Sequence, residues 1–331
     1  MQDETNEGSE IETASGRYRV ETVRFRYQFG EVQLAARDVP VAVDTSLFFD
    51  RAPDAGAFVP PPEVLKLGVP CVMVLSQPLV NPLPLVSNAG AYVRFVPHQY
   101  RRSTVRLEGT FADYLASMPA DRRRKLVTKQ RKFRDACGGE LRVHVSRTAT
   151  ELEHFHRLAR PLATATYQER LFGKGLPSTR AFLDDMRRRG TRGSARGYLL
   201  AGPGHSVAAY IYVVINGPLV TFEHLGYDAS LSKLSPGLVL QMAALDDLFE
   251  TCQGKVFDFG EGDGQHKSTF GTELTPCADL YFFPKTLRGL ELFAGQALAH
   301  GVSRTAVQTL TQTGLRDQVK RFVRRTFGSR G

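Results

Sequence analysis

The strongest constraint on the fold is a run of alternating signals between residues 197 and 259. Residues 197–201 read as a short apolar strand, Gly202-Pro203-Gly204 as a turn, and 207–215 as a second strand. Asn216-Gly217 is a strong hairpin signal because both residues tolerate positive φ, so 219–226 returns as a third, antiparallel strand. Leu234-Ser235-Pro236-Gly237 then opens an amphipathic helix over 238–252, with Leu240, Ala244, Leu245 and Leu248 inward, and Gly254 ends it. Residues 255–259 form a last buried strand. A strand reached through a crossover helix lies parallel to the one it left. The run therefore demands a mixed α/β sheet, mainly antiparallel, with the fourth strand parallel to the third.

The helix start in this run carries chemistry. Its first N–H groups lack intrahelical partners and sit at the positive end of the helix dipole, which suits a phosphate. Pro236 loses no hydrogen bond in the first turn, and Gly237 lets a ligand approach the backbone closely. Ser235, Pro236, Gly237 and Leu238 are thus candidates to cradle a phosphorylated donor; the plainer reading is an efficient helix start and no more.

Beyond the last strand comes Asp258-Phe259-Gly260-Glu261-Gly262-Asp263-Gly264-Gln265-His266-Lys267. A glycine-rich loop at a strand's C-terminal end is a usual place for a site, although a surface turn has the same composition. Glu223 and His224 on the third strand, Asp228 at its end, and Asp258 and Asp263 at the next strand's end are candidate bases. Glu223 and His224 point to opposite faces of a strand, so at most one faces a cleft. Asp228, Asp258 and Asp263 are preferred, because strand ends meet the presumed cleft. Lys267 is a candidate ligand for a donor phosphate or an acidic acceptor, or an ordinary surface lysine. No metal site is expected: Cys71, Cys137, Cys252 and Cys277 are far apart, and His154 and His156, two apart on a helix, do not face each other.

Upstream, 18–34 alternates like a strand and 69–75 reads as another, with a Pro/Gly-rich stretch between them; this is a small β-rich region. Thr110 can cap a helix over 111–117, and Pro119 starts a second that Gly138-Gly139 stops near 136. Residues 141–145 read as a strand, Thr148 to Glu151 as a capping box opening a third helix, and Ser178 as the cap of a fourth over 179–189. No internal repeat is visible.

The formal net charge of +9 is concentrated. Residues 101–134 hold eleven bases against three acids, and 285–331 hold nine against two. Such segments attract an anionic partner: a phosphorylated donor, an anionic membrane surface or RNA. Solvated helix faces are the alternative. Val319, Phe322, Val323 and Phe327 share one face of a basic end helix, a pattern suited to lying on an anionic membrane. The first twelve residues carry five acids and no base, unlike a signal or transit peptide, and are expected to be disordered. With well-separated cysteines, this places the protein in the cytoplasm, with a peripheral position on the inner face of the membrane open to it.

The set Gly226-Tyr227-Asp228, Ser235-Pro236-Gly237 opening a helix, and Asp258-Phe259-Gly260-x-Gly262-Asp263 with Lys267 beyond resembles the GNAT acyltransferases, in particular a CelD-like branch linked to cellulose biosynthesis. The arginine-rich helix after Phe111-x-x-Tyr114-Leu115 resembles that branch's opening segment. The likeness covers about residues 105–270; it departs at His266, where the family has an aromatic, and in the shorter region before Arg101. The resemblance implies the GNAT fold, in which the third and fourth strands splay and the donor's arm lies in the gap. It also implies acyl-CoA as co-substrate, no tightly bound cofactor, and an amine acceptor such as an amino sugar or envelope precursor. A Fem-type relative would use aminoacyl-tRNA instead, and a degenerate member would serve as a scaffold in a polysaccharide synthesis complex. The expected organisation is an acidic tail over 1–14, a β-rich half over 15–104 that is a reduced GNAT-like unit on one reading, the acyltransferase domain over 105–285, and a basic helical tail over 286–331.

Overall fold

A computed structural model describes residues 10–13, 16–29, 32–165, 175–262 and 264–312. Strands β1 (Glu10–Thr13), β2 (Gly16–Phe29), β3 (Val32–Asp44), β4 (Val72–Pro78), β5 (Val86–Ala89) and β6 (Tyr92–Arg106) come first. Helices α1 (Phe111–Ser117) and α2 (Ala120–Ala136), strand β7 (Val143–Ser146), and helices α3 (Ala149–Ala165) and α4 (Arg180–Thr191) follow. Then come β8 (Ala195–Ala201), β9 (Val207–Asn216), β10 (Leu219–Tyr227), α5 (Pro236–Thr251), β11 (Val256–Glu261), α6 (Gln265–Phe270), β12 (Glu273–Pro284) and α7 (Leu287–Gln312).

The chain divides into two compact units, Arg102–Leu274 and the remainder, Met1–Arg101 with Thr275–Gly331. These boundaries differ from the expected ones. Residues 102–104 at the end of β6 already belong to the central unit. The segment expected as a tail from 286 returns instead to the first unit, where Leu292 is buried and Phe293 and Ala297 pack with Phe95 and Phe283. Asp263, the acidic segment 1–9 and the expected basic end helix over 318–327 lie outside the described residues. Among the described residues no helix is long and apolar enough to cross a membrane.

In the Arg102–Leu274 unit the sheet order is β6-β11-β10-β9-β8-β7. The expected β-β-β-α-β run forms as β8, β9, β10, α5 and β11. Its hairpin is shifted by one residue: Asn216 pairs with Leu219, so Gly217 at φ 55° and Pro218 occupy the turn. Thr110 caps α1 with its side chain and forms a capping box with Asp113. Thr179 rather than Ser178 caps α4, accepting from the Phe182 N–H. Leu126 and Phe133 of α2 and Leu240, Leu245 and Leu248 of α5 pack on one sheet face with Leu200, Ile211, Val213, Val220 and Phe257. On the opposite face Phe155 of α3 and Met186 of α4 pack with Leu199, Tyr210, Tyr212 and Val214.

The feature that positions a site is where pairing stops. β10 and β11 are parallel over three pairs, Leu219↔Val256, Val220↔Phe257 and Thr221↔Asp258. β10 then follows β9 as far as Tyr227↔Ala209, while β11 follows β6 as far as Glu261↔Arg102. A bulge between Phe222 and His224 turns β10 away, and a second between Asp258 and Glu261 turns β11. Each strand keeps one partner, and the two facing edges part.

The first unit builds the same device from a different sequence. Its sheet order is β1-β2-β3-β4-β12-β6, with β5 beside β6. The parallel pair β3 and β4 meets only at Ala42↔Val72 and Val43↔Met73. β4 then carries one extra residue between Val74↔Leu280 and Gln77↔Ala278, as β11 does between Asp258↔Thr104 and Glu261↔Arg102. The residue that absorbs each bulge has positive φ: Ser76 at 57° and Gly260 at 77°. Glycine serves in one bulge and serine in the other, so the shared device leaves no common residue in the sequence.

In the first unit the fork is filled from within. Arg51 donates through Nη1 to the Leu75 carbonyl of β4 at 2.6 Å, and through Nη2 to the Ser46 and Asp44 carbonyls beyond β3 at 2.6 and 3.4 Å. Its Nε lies 3.4 Å from the Asp44 carboxylate, in a pair whose side chains are 10% and 1% exposed. A guanidinium thus occupies the opening where a ligand arm would have to lie. Arg51→Met is expected to lower stability by about 3–5 kcal/mol, because it strands the buried Asp44 charge and three carbonyls; chemical denaturation of the full chain measures this.

Candidate functional site

The parted edges of β10 and β11 lie at the C-terminal ends of both strands, with α5 starting beyond β10. The chain reaches α5 through a 3-10 turn, Ala229–Leu234, which ends at Ser235 in the left-handed region, φ 53° and ψ 51°. A helical residue followed by a left-handed one turns successive N–H groups toward one side, an arrangement that favours anions. Ser235 makes no side-chain capping bond. Ser235 and Leu238 are half-buried, whereas Pro236 and Gly237 are buried. A Cβ on Gly237 would meet Tyr227 Cδ1 at 3.4 Å and Leu225 Cδ1 at 3.7 Å, so its open side looks onto β10. Any phosphate contact at this turn therefore falls to the Ser235 and Leu238 ends.

The surroundings of this turn are cationic. Helix α2 packs against both α5 and the Ala229–Leu234 turn. It carries Arg122, Arg123, Arg124, Lys125, Lys129, Arg131, Lys132 and Arg134. Arg124 is paired with Asp121 and Arg134 with Asp135, and the exposed Lys233 stands in the turn itself. Net positive potential beside a helix start is what an anionic donor requires.

The expected carboxylates separate when placed in space. Asp258 is fully buried, and both of its oxygens are engaged. Oδ2 accepts from Arg102 Nε at 2.9 Å and Nη2 at 2.6 Å, and Oδ1 accepts from the Gly260 N–H at 2.9 Å. It holds the β11 bulge and binds β6 to β11. Asp228 caps the 3-10 turn, accepting from the Ser230 N–H at 2.9 Å and its hydroxyl at 2.7 Å. Both therefore fill structural roles in the fork: Asp258 has both oxygens engaged in a fully buried position, whereas Asp228 caps the turn through Oδ1 alone. Lys267 folds back so that Nζ donates to the Glu261 carbonyl, which ties α6 to the end of β11. The side chain of His266 lies outside the described residues.

Glu223, passed over in the preferred set, is the residue the structure brings to the opening. It is the extra residue of the β10 bulge, at the point where the strands part. Its side chain is exposed, yet protein crowds the remaining sides of the carboxylate. That crowding raises its pKa above the ordinary 4.5; Arg189 offsets part of the shift, and the negative charges of Asp258 and Asp185 add to it. A bulge adds one residue to a strand and so re-aims side chains, which period-two counting cannot anticipate. His224 turns to the α3/α4 face, its ring 6.4 Å from Tyr212 and 5.7 Å from Phe182 between centroids. On the α5 face, Phe222 and Phe259 come within 6.3 Å across the parted strands. Gly226 is required for packing: a Cβ there would lie 2.3 Å from the Tyr210 ring.

Arg102 gave no signal of its own in the sequence. The clue lay in Asp258, a lone acid in the otherwise apolar strand Val-Phe-Asp-Phe, which must find a cation when buried. Arg102→Met is expected to cost about 3–5 kcal/mol by leaving that charge uncompensated, and Arg102→Met with Asp258→Leu to recover much of the loss. Thermal denaturation of the two variants checks both values.

A protein-family model described as an acetyltransferase (GNAT) domain matches residues 120–268. No curated protein matches the sequence. Similar solved structures include L-PGS from Bacillus licheniformis, at 10% identity and TM-score 0.48 over 88% of each chain. FemX is similar at 9% identity and TM-score 0.48, over 83% of this chain and 90% of its own. A GCN5-related N-acetyltransferase from Kribbella flavida is similar at 11% identity and TM-score 0.38, over 84% and 90%. Residues 120–268, just under half of the chain, thus match a GNAT domain model, and the fold of this region is mixed α/β.

Proposed function

We propose that the Arg102–Leu274 unit is an N-acyltransferase that moves an acyl group from acyl-CoA, held as a dissociable co-substrate, to an amine. The observation that carries this reading is the early end of the β10–β11 pairing, after Thr221↔Asp258, beside the start of α5. An extended thioester arm fits between two strand edges whose own pairing has ended. Its diphosphate then falls at Ser235 and Leu238, with Lys233 and α2 supplying positive charge.

The chemistry needs little more than placement, worth about 7–11 kcal/mol when amine and thioester are well oriented. The amine nitrogen attacks the thioester carbonyl, the C–N bond forms, the C–S bond breaks, and the thiol departs. Backbone N–H groups at the strand edge stabilise the carbonyl oxygen as charge builds on it. Glu223 takes the proton from the attacking amine; its raised pKa suits a group that must accept a proton and release it again. Asp258 acts through the bulge and through its charge on Glu223, and Asp228 through the turn that leads to α5. Asp263 is kept as a proposed alternative base from the sequence alone, and Lys267 as a proposed contact for a donor phosphate.

The acceptor class, an amino sugar or glycan precursor of the cell envelope, follows from the family resemblance. It fits a cytoplasmic enzyme with peripheral contact to an anionic membrane, to which the nine bases after residue 284 would contribute. The cations of α2 favour one second reading, transfer from aminoacyl-tRNA, in which activity would be lost on RNase treatment. In a scaffold without activity, coenzyme A would not bind at all.

Thiol release from acetyl-CoA with a panel of amines tests the proposal. The acid limb of kcat/KM is expected above pH 4.5, because Glu223 must be ionised to accept a proton and its pKa is raised. Glu223→Gln is expected to lower kcat/KM about 100-fold or more and to remove that limb. A variant that keeps both rate and limb assigns the base elsewhere.

A further inference from the structure

One side chain in α5 is left unexplained by packing. Gln241 is 2% exposed, and its Nε2 has no hydrogen-bond partner among the described residues. Its neighbours Val239, Leu240, Met242, Ala244 and Leu245 are buried apolar residues, so an apolar side chain would serve the core better at this position. Leaving a buried donor unpaired costs about 1–3 kcal/mol. Such a group in an otherwise apolar helix face calls for a partner that the described residues do not supply.

Its direction follows from helix geometry. Positions 237, 241, 244 and 248 share one face, and the open side of Gly237 looks onto Leu225 and Tyr227 of β10. α5 joins two parallel strands and so runs back along them. One helical turn, about 5.4 Å, corresponds to roughly two residues of strand. Gln241 therefore faces β10 about two residues before the stretch that Gly237 covers, level with the bulge where β10 leaves β11. That is the helix side of the same opening, where Phe222 and Phe259 converge.

We propose that Gln241 is a donor-recognition residue: its side-chain amide donates a hydrogen bond to a carbonyl oxygen of the amide-bearing arm between the nucleotide and the thioester. The assignment rests on the proposed function, and it adds a specificity the fold alone does not provide. A polar arm with a carbonyl at this depth satisfies Nε2, and a purely hydrocarbon arm would leave it unpaired. Glu223 would meet the reacting end of the donor on the outer side, while Gln241 fixes how far the arm descends.

The test uses the full-length protein and two probes, coenzyme A and adenosine 3′,5′-bisphosphate, which keeps the 3′-phosphate and the first 5′-phosphate but lacks the second 5′-phosphate and the arm. Calorimetry of wild type and Gln241→Met is expected to show coenzyme A binding weakened about tenfold, the worth of one hydrogen bond in an enclosed site. Binding of the bisphosphate is expected to be unchanged, and thermal stability of the unliganded variant equal or higher. Equal weakening of both probes would mean a general disturbance of the helix and would overturn the proposal, as would unchanged coenzyme A affinity. If wild type binds neither probe, the acyl-CoA reading itself fails and the assignment falls with it. Should Gln241→Met unfold, Gln241→Leu repeats the comparison with a different apolar shape.

Discussion

The structure depends on two backbone edges that stop pairing. A strand edge inside a protein carries N–H and C=O groups that must find partners. When β10 leaves β11 after three residue pairs, those groups face a gap that neither strand can close alone. The bulges at Glu223 and Gly260 make the parting permanent, because each inserts a residue that the opposite register cannot match. The Arg102–Asp258 pair locks one side of the fork to β6. The turn capped by Asp228 and the start of α5 set the other side. Such a fork persists because each strand remains anchored on its far edge.

The first unit shows the alternative way to satisfy the same constraint. There the parallel pair is shorter, and Arg51 places donors on carbonyls from both sides of the opening. The guanidinium is held by Asp44, so one buried ion pair closes the fork from within. One unit has thus invested its fork in stability, and the other keeps apolar rings at the opening with an unpaired amide on the helix beside them.

Roles among the acidic residues follow from burial and hydrogen bonding. Asp258 stands on a strand between two phenylalanines, so its alternate position forces it inward on the face opposite their rings, where Arg102 neutralises it. Asp228 follows a strand end and precedes a turn, where a short carboxylate caps more effectively than it catalyses. Glu223 owes its place to the bulge alone. The negative charge of Asp258 helps raise the Glu223 pKa, so the buried acid also tunes the exposed one.

The order of elements was legible in the amino-acid sequence: the hairpin near Gly217, the capping box at Thr148, the helix start at Pro236 and the buried strand at Val256 are local signals, set by φ preferences and short-range hydrogen bonds. From that order the parallel return of β11 followed, and with it the GNAT-like arrangement. What the sequence could not express was which groups would be consumed by partners distant in the chain. Arg102 meets Asp258 across 156 residues, Gly237 turns toward Tyr227, and Arg51 fills a fork whose two sides lie on either side of it in sequence. A bulge leaves no mark in a period-two pattern, so Glu223 read as one more alternating strand residue. Local propensity chose the elements; the tertiary structure decided which side chains remained available for chemistry, because only packing determines who is buried against whom.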